Sequence, residues 1–345
     1  MKKLMRKIVF SIILALAVLV LSAVLGSAKI PLANIPGIIS HKLFSSVLDP
    51  EIDKLIADIF WKIRLPRTLA SFMVGGALAV SGTVMQSVLR NPLASSYTLG
   101  VSSGASLGVA LVIALGISLS GLGSLLLPFV ALVFGLATVL AALGISSRFD
   151  AGLENQTVIL TGMVISLFIN SILTIIMALF RQHLQRLVFW QLGSFSGLNW
   201  DQLMIITISV VPTVIFLMTY SLEMDLMSFG EEHALSVGID LKKTKLILIF
   251  LSTFLTGASV AFVGVIGFVD LIAPHIVRKI FGSSHKIVLP LSFIFGGTFM
   301  ALADIISRVI VAPSELPIGS VTALIGAPFF TWVYFSRRRS QDAGV

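Results

Sequence analysis

Charged side chains are few in this chain, and those set beside or within apolar stretches are the ones whose type and spacing could do chemistry. Arg64 and Arg67 stand three residues apart at the start of a long apolar run. Residues at that spacing share a helix face. Arg308 follows Asp304 by four residues, and Glu315 lies close beyond. Such a set can form an i,i+4 ion pair and snorkel to a membrane interface. It can also form an outward basic patch that captures an acidic partner surface. Asp270 and His275 sit either side of Pro274 in another apolar stretch. An acid and an imidazole at membrane depth can relay protons, yet no run of further acids continues them.

Other chemistries lack their residues. The five histidines are scattered without ligand spacing, so no metal site is expected. Cysteine is absent, which removes thiol nucleophiles, disulfides and lipid-bearing cysteines. The sequence has no G-x-x-x-x-G-K-[ST] phosphate loop, so any ATP hydrolysis must come from another chain. It also has no G-x-S-x-G or H-E-x-x-H, which disfavours an intramembrane hydrolase or protease. No cofactor is expected.

The elements that hold these residues follow from hydropathy. Of 345 residues, 57% are hydrophobic and only 12% charged, against roughly 25% charged in soluble domains. Long apolar runs recur at about 8–28, 65–89, 92–115, 122–145, 156–180, 203–222, 245–266, 287–311 and 318–336. This is a polytopic membrane protein. The net charge of +8 is no nucleic-acid footprint, because the basic residues cluster at the ends of apolar runs. Residues 268–281 are too short to span alone and read as a half-length helix inside the bundle. Counting it gives about ten helices, with both termini on one side. The N-terminal run is longer than a signal peptide's usual apolar core of about 7–15 residues, so it reads as a retained first helix. Fifteen of the 24 Lys and Arg fall at the ends shared with the termini, which places both termini in the cytoplasm.

The whole of 1–345 reads as one transmembrane domain, with residues 8–28 as first helix and 337–345 as cytoplasmic tail. Two loops stand out. Residues 29–62 form an outer loop with room for a short amphipathic helix, bearing Lys29, Asp49, Glu51, Asp53 and Asp58. Residues 222–245 form the inner loop, where Glu231, Glu232, Ala234, Leu235, Val237 and Gly238 make a short amphipathic helix. Its acids suit the helix N-terminus, and Gly238 suits a left-handed stop. It reads equally as a solvated connector or as a docking helix for a cytoplasmic partner.

Two apolar segments are broken by Pro and Gly. One runs RLPRTLASFMVGGALAVSGTVMQSVLRNPLASSYTLGVSSGASLG from Arg64, and the other runs GASVAFVGVIGFVDLIAPHIVRKIFG from Gly257. Irregular backbone at membrane depth survives only where protein or a water-filled cavity covers it. Such segments, paired about half a chain apart, point to a transport pathway between two related halves. Asn91-Pro92 reads as an N-cap and first helical turn. The small residues from Gly100 to Gly108 allow tight helix packing, and could also line a wide path.

These two segments resemble the iron-siderophore and vitamin B12 permeases of ABC importers, and the resemblance extends over residues 8–336. It implies the type II importer permease architecture, with ten transmembrane helices per subunit. It implies two such subunits, identical or paralogous, around a central path. They would sit on cytoplasmic ATP-binding subunits and receive cargo from an extracytoplasmic binding protein. Arg64, Arg67 and Arg308 match family arginines that receive the binding protein's acids. Gly230, Glu231, Glu232, Ala234, Leu235 and Gly238 lie in a segment that matches the family's coupling helices. Gly75, Gly76, Ser81, Gly82, Ser102 and Ser103 are expected along the path, small and without a code for one cargo. Ferric siderophore is the expected cargo, with cobalamin or haem as the alternative. An ion-coupled secondary transporter ranks lower, because Asp270 and Asp304 are nearly alone as acids within the helices.

Overall fold

A computed structural model describes residues 2–26, 30–44, 52–119, 121–150 and 152–342, with side chains as far as Thr331. Lys29, Asp49 and Glu51 of the outer loop and residues 343–345 of the tail lie outside the described residues. Among the described residues the α-helices run α1 Lys2–Val24, α2 Asn34–Phe44, α3 Lys54–Ile59, α4 Leu65–Val88, α5 Val101–Leu115, α6 Leu126–Phe149, α7 Asn155–Leu179, α8 Leu184–Leu192, α9 Trp200–Thr219, α10 Ser221–Phe229, α11 Glu231–Ser236, α12 Leu241–Val263, α13 Val269–Phe281, α14 His285–Val309 and α15 Ile318–Asp342. Seven helical stretches are long and apolar enough to cross a membrane: α1, Lys54–Val88, Gly123–Phe149, α7, α9, α12 and α14. Two shorter apolar helices, α5 and residues 318–331 of α15, join them. The thirteen-residue α13 is the expected half-length element. Together these ten give the all-helical membrane architecture.

Among its described residues the expected outer loop is largely helical. Residues 34–44 form α2, and α3 runs without a break through a π turn at Phe60–Arg64 into α4. Pro66, at the start of α4, explains the wide turn. Proline has no N–H, and its ring presses on the carbonyl four residues back, so the turn before it opens.

Helix α4 is the centre of the bundle. Its apolar window is 83% buried, against 17% for α7. It packs most closely on α14, where the backbones touch: a Cβ on Gly75 would lie 2.3 Å from the Gly296 carbonyl oxygen, and one on Gly296 would lie 2.4 Å from that of Gly75. Phe72 covers Gly297 and Phe293 covers Gly76, and the two rings meet edge to face at 5.8 Å. Without a hydrophobic drive between helices in lipid, such close van der Waals packing is what holds them.

The small residues expected along the path take part in this packing. Gly75, Gly76 and Gly82 are buried against α14 and the Asp270 backbone. Ser81 Oγ lies 2.7 Å from Ser96 Oγ and 2.7 Å from Thr256 Oγ1, and 2.8 Å from the Ser252 carbonyl. Ser103 is buried and Ser102 half-buried. Within the single subunit these small residues make close helix contacts.

The two broken segments meet inside the bundle. Tyr97 donates to the Ile266 carbonyl at 2.8 Å, and Ser95 Oγ donates to Asp270 Oδ2. Gln86 Nε2 donates to the Asp270 carbonyl at 3.1 Å. Polar groups freed by one break thus satisfy those freed by the other. Asp270, in the first turn of α13, is accounted for by this junction.

Candidate functional site

Functional residues gather at the two ends of the bundle. At one end, α10 runs into α11 through Gly230, whose φ of 136° is open to glycine and rarely to other residues. Glu231 and Glu232 occupy the first turn of α11. The helix stops at a Schellman turn: Gly238 has φ 90°, its N–H donates to the Leu235 carbonyl at 2.9 Å, and Ile239 N donates to the Ala234 carbonyl at 3.1 Å. Ala234 is fully buried and faces the bundle. Glu232, Leu235 and Val237 face out, and Phe229 at the end of α10 is 79% exposed. The surface thus carries Leu235, Val237 and Phe229 beside Glu232, His233 and Ser236.

A buried cation holds this unit in place. Lys245 is 1% exposed, and its Nζ donates to Glu231 Oε1 at 2.8 Å and to the Leu153 carbonyl at 3.1 Å. One ammonium thus ties α11 to α12 and to the α6–α7 turn. That turn is shaped by Asp150, which accepts from the N–H groups of Gly152, at 2.9 Å, and Glu154. Those backbone donors hold the exposed Asp150 carboxyl below its ordinary range. Glu231 and Glu232 read alike in sequence; the fold makes the first a structural partner and leaves the second on the surface.

Sequence reasoning missed a second link here. Asp225 of α10 accepts from the His285 backbone N–H at 2.9 Å and from Ser284 Oγ at 3.2 Å, and its Oδ1 lies 2.5 Å from His285 Nδ1. His285 Nε2 then pairs with Ser87 near the end of α4. The chain from α10 reaches both central helices. Its one sequence signal is the Ser284-His285 pair opening an apolar run, where a helix N-terminus would attract an acid. Beside it lies a cavity of about 620 Å³ lined by Gln86, Arg90, Asn91, Arg278 and Ser283 among others.

At the opposite end the three arginines come together, but not as an exposed patch. Arg64, Arg67 and Arg308 are 5%, 6% and 4% exposed. Arg67 forks onto two acids: Nη2 and Nε lie 2.8 Å and 3.0 Å from Asp304 Oδ1, and Nη1 lies 2.6 Å from Glu315 Oε1. Arg308 Nη2 lies 3.0 Å from Asp304 Oδ2. Arg308 also donates to the Ser22 and Leu25 carbonyls at 3.0 Å, and Arg64 donates to Leu25 as well. In the single chain the three guanidinium groups lie beneath the surface. A buried guanidinium needs charged and hydrogen-bonding partners, and Asp304, Glu315 and the C-terminal carbonyls of α1 supply them. Close by, Trp200 Nε1 donates to the Trp61 carbonyl at 2.8 Å, and the two indoles lie 5.3 Å apart.

Comparison with known proteins places the chain in a family. The FecCD transport family matches residues 13–336. The hemin transport system permease protein HmuU of Yersinia pestis is 33% identical over 330 residues, covering 95% of this chain and 96% of HmuU. The vitamin B12 import system permease protein BtuC of Escherichia coli O9:H4 (strain HS) is 36% identical over 287 residues, covering 81% of this chain and 84% of BtuC. Among solved structures, an inward-facing metal-chelate type ABC transporter superposes with a TM-score of 0.81 at 31% identity, covering 96% of this chain and 99% of that one.

Proposed function

Since the chain belongs to the FecCD transport family of ABC importer permeases, we propose that it forms the membrane path for a metal chelate, with ferric siderophore as cargo and cobalamin or haem as the alternative. Relatives named for hemin transport and vitamin B12 import support a chelate cargo, and one named for molybdate import speaks for a smaller one. The observation that carries the reading is the α10–α11 unit. It is an exposed apolar and polar surface, pinned by Lys245 to α12 and joined through Asp225 and His285 to α4 and α14. A rigid surface of that kind suits a cytoplasmic ATP-binding subunit. Docking there would be felt in the central helices.

The permease itself makes no covalent chemistry. A partner hydrolyses ATP, and differential affinity of partners for the two states of the path drives the change. A second permease subunit, identical or paralogous, completes the path. On α7, Asn170, Ser171 and Thr174 are exposed midway along an apolar helix, and polar side chains at that depth suit a subunit contact or wet path better than lipid. The end bearing α11 is cytoplasmic, in keeping with Lys7, Lys242, Lys243, Arg278 and Lys286 gathering there. The opposite end receives an extracytoplasmic binding protein, with Arg64, Arg67 and Arg308 shaping the surface from beneath. Asp270 and Asp304 are both held in structural networks, which weighs against ion-coupled transport.

The test is uptake in a strain deleted for this gene. Radioactive iron would be supplied on hydroxamate, catecholate and citrate carriers, with labelled haem and cobalamin in parallel. Loss of one iron carrier, restored by the gene, is the expected result. Loss of cobalamin or haem uptake alone would move the cargo, and unchanged uptake of all five would overturn the chelate reading.

A further inference from the structure

We propose that the first turns of α1, with the end of α13 and the body of α14, form a binding site for one anionic phospholipid. Lys3, Arg6 and Lys7 lie at i, i+3 and i+4 and share a face of α1. All three are exposed, and Lys7 Nζ donates to the Ile280 carbonyl at 3.1 Å. That contact covers the C-terminal end of α13, which would otherwise repel an anion. Further along the same face, Phe10, Ser11 and Leu14 border a cavity of about 480 Å³ that the three cations also line and that Ile280, Phe281 and Phe295 close. Phe281 and Phe295 stack edge to face at 6.0 Å and make a firm floor. No Asp or Glu is among the residues that line it.

The site thus has two parts of different chemistry, stacked along the helix axis. Its upper part is cationic and wet; its lower part is a cleft of aromatic and aliphatic side chains at the edge of the hydrocarbon. Water gains little from that cleft, and a soluble phosphate has nothing to place in it. A phospholipid with a net negative headgroup satisfies both parts, its phosphate among the cations and an acyl chain along Phe10, Leu14 and Phe281. Basic pockets between membrane helices recognise anionic lipids in this way. Because the site straddles α1 and the α13–α14 corner, a bound lipid would tie α1 to the end of the bundle that carries α11.

The experiment is native mass spectrometry of the purified full chain, titrated with phosphatidylglycerol, phosphatidylcholine or inorganic phosphate. Phosphatidylglycerol is expected to bind as a single tight adduct and phosphatidylcholine weakly. Each basic residue at an anionic lipid surface is worth about fivefold, so Lys3→Gln with Arg6→Gln should weaken the adduct roughly tenfold or more. Replacement of Leu14 by Asn should weaken it through the acyl cleft, with all charges kept. Lys242→Gln with Lys243→Gln, two exposed lysines on another helix, should leave it unchanged. Melting in phosphatidylcholine shows whether each variant is folded. The proposal falls if both lipids bind equally. It also falls if the Lys242/Lys243 pair matters as much as Lys3 and Arg6, which is generic surface charge. Displacement of the lipid by inorganic phosphate would mean an anion site alone.

Discussion

Asp304 sits between two of the three buried arginines at the end opposite α11. It is fully buried and faces both Arg67 and Arg308, at 2.8 Å and 3.0 Å. Removing one partner of a buried ion network leaves the others uncompensated and costs about 3–5 kcal/mol. Asp304→Asn is therefore expected to lower the melting temperature of the detergent-solubilised chain sharply. Glu315→Gln should cost much less, because the Glu315 side chain is 35% exposed and water can replace it. Equal effects would refute the burial argument. Reversing Arg67 should likewise unfold this corner before it changes the capture of a partner. At the other end, Glu231→Lys places a cation against buried Lys245 and should disturb α11 itself. Glu232→Lys should leave melting within about 0.5 kcal/mol, as exposed substitutions do, yet reduce transport coupled to ATP hydrolysis. Loss of stability in both, or normal transport in the second, would sink the division of roles.

Between these residues stand α4 and α14, which each run from one network to the other. Ser87 and His285 lie at the α11 end, and Arg67 and Asp304 lie at the opposite end. The contact of Gly75 with Gly296 sets the two backbones directly against each other. A methyl added there meets backbone, which cannot rotate away, so Gly75→Ala and Gly296→Ala should each destabilise by about 1–3 kcal/mol or more. Gly144 on α6 has open space where a Cβ would go. Gly144→Ala should be neutral or stabilise by up to about 1 kcal/mol through helix propensity. Thermal melting of the three variants in one detergent checks the contrast, and a similar loss in all three would mean the close crossing is not what matters. The π turn before Pro66 and the Schellman stop after α11 show the same principle on a smaller scale. In each, a single residue type fixes where a helix bends or ends.

At the scale of the molecule, the fold is a bundle with a polar network at each end and a polar junction between its two broken segments. If a partner ATPase drives it, uptake into vesicles should require that subunit and survive collapse of the proton gradient. Uptake driven by the gradient without ATP would reverse the reading. The sequence by itself determined the membrane class, the approximate helix spans and the broken segments. Those follow from local composition: a run of apolar residues must cross the membrane as helix wherever it is long enough. It also pointed to the short helix at Glu231–Ser236, because capping acids and a stop glycine are local signals. Only the tertiary structure decided what its charges and glycines do. Arg64, Arg67 and Arg308 look the same in sequence whether they reach water or turn inward; Asp304 and Glu315 hold Arg67, Asp304 holds Arg308, and the Leu25 carbonyl holds Arg64. Gly75 and Gly82 look the same beside a path or beneath another helix, and the approach of Gly296 and Asp270 set them in contact. The link from Asp225 to His285 joins residues 60 positions apart. Pairings of that kind depend on how helices distant in sequence pack, and no local pattern encodes them.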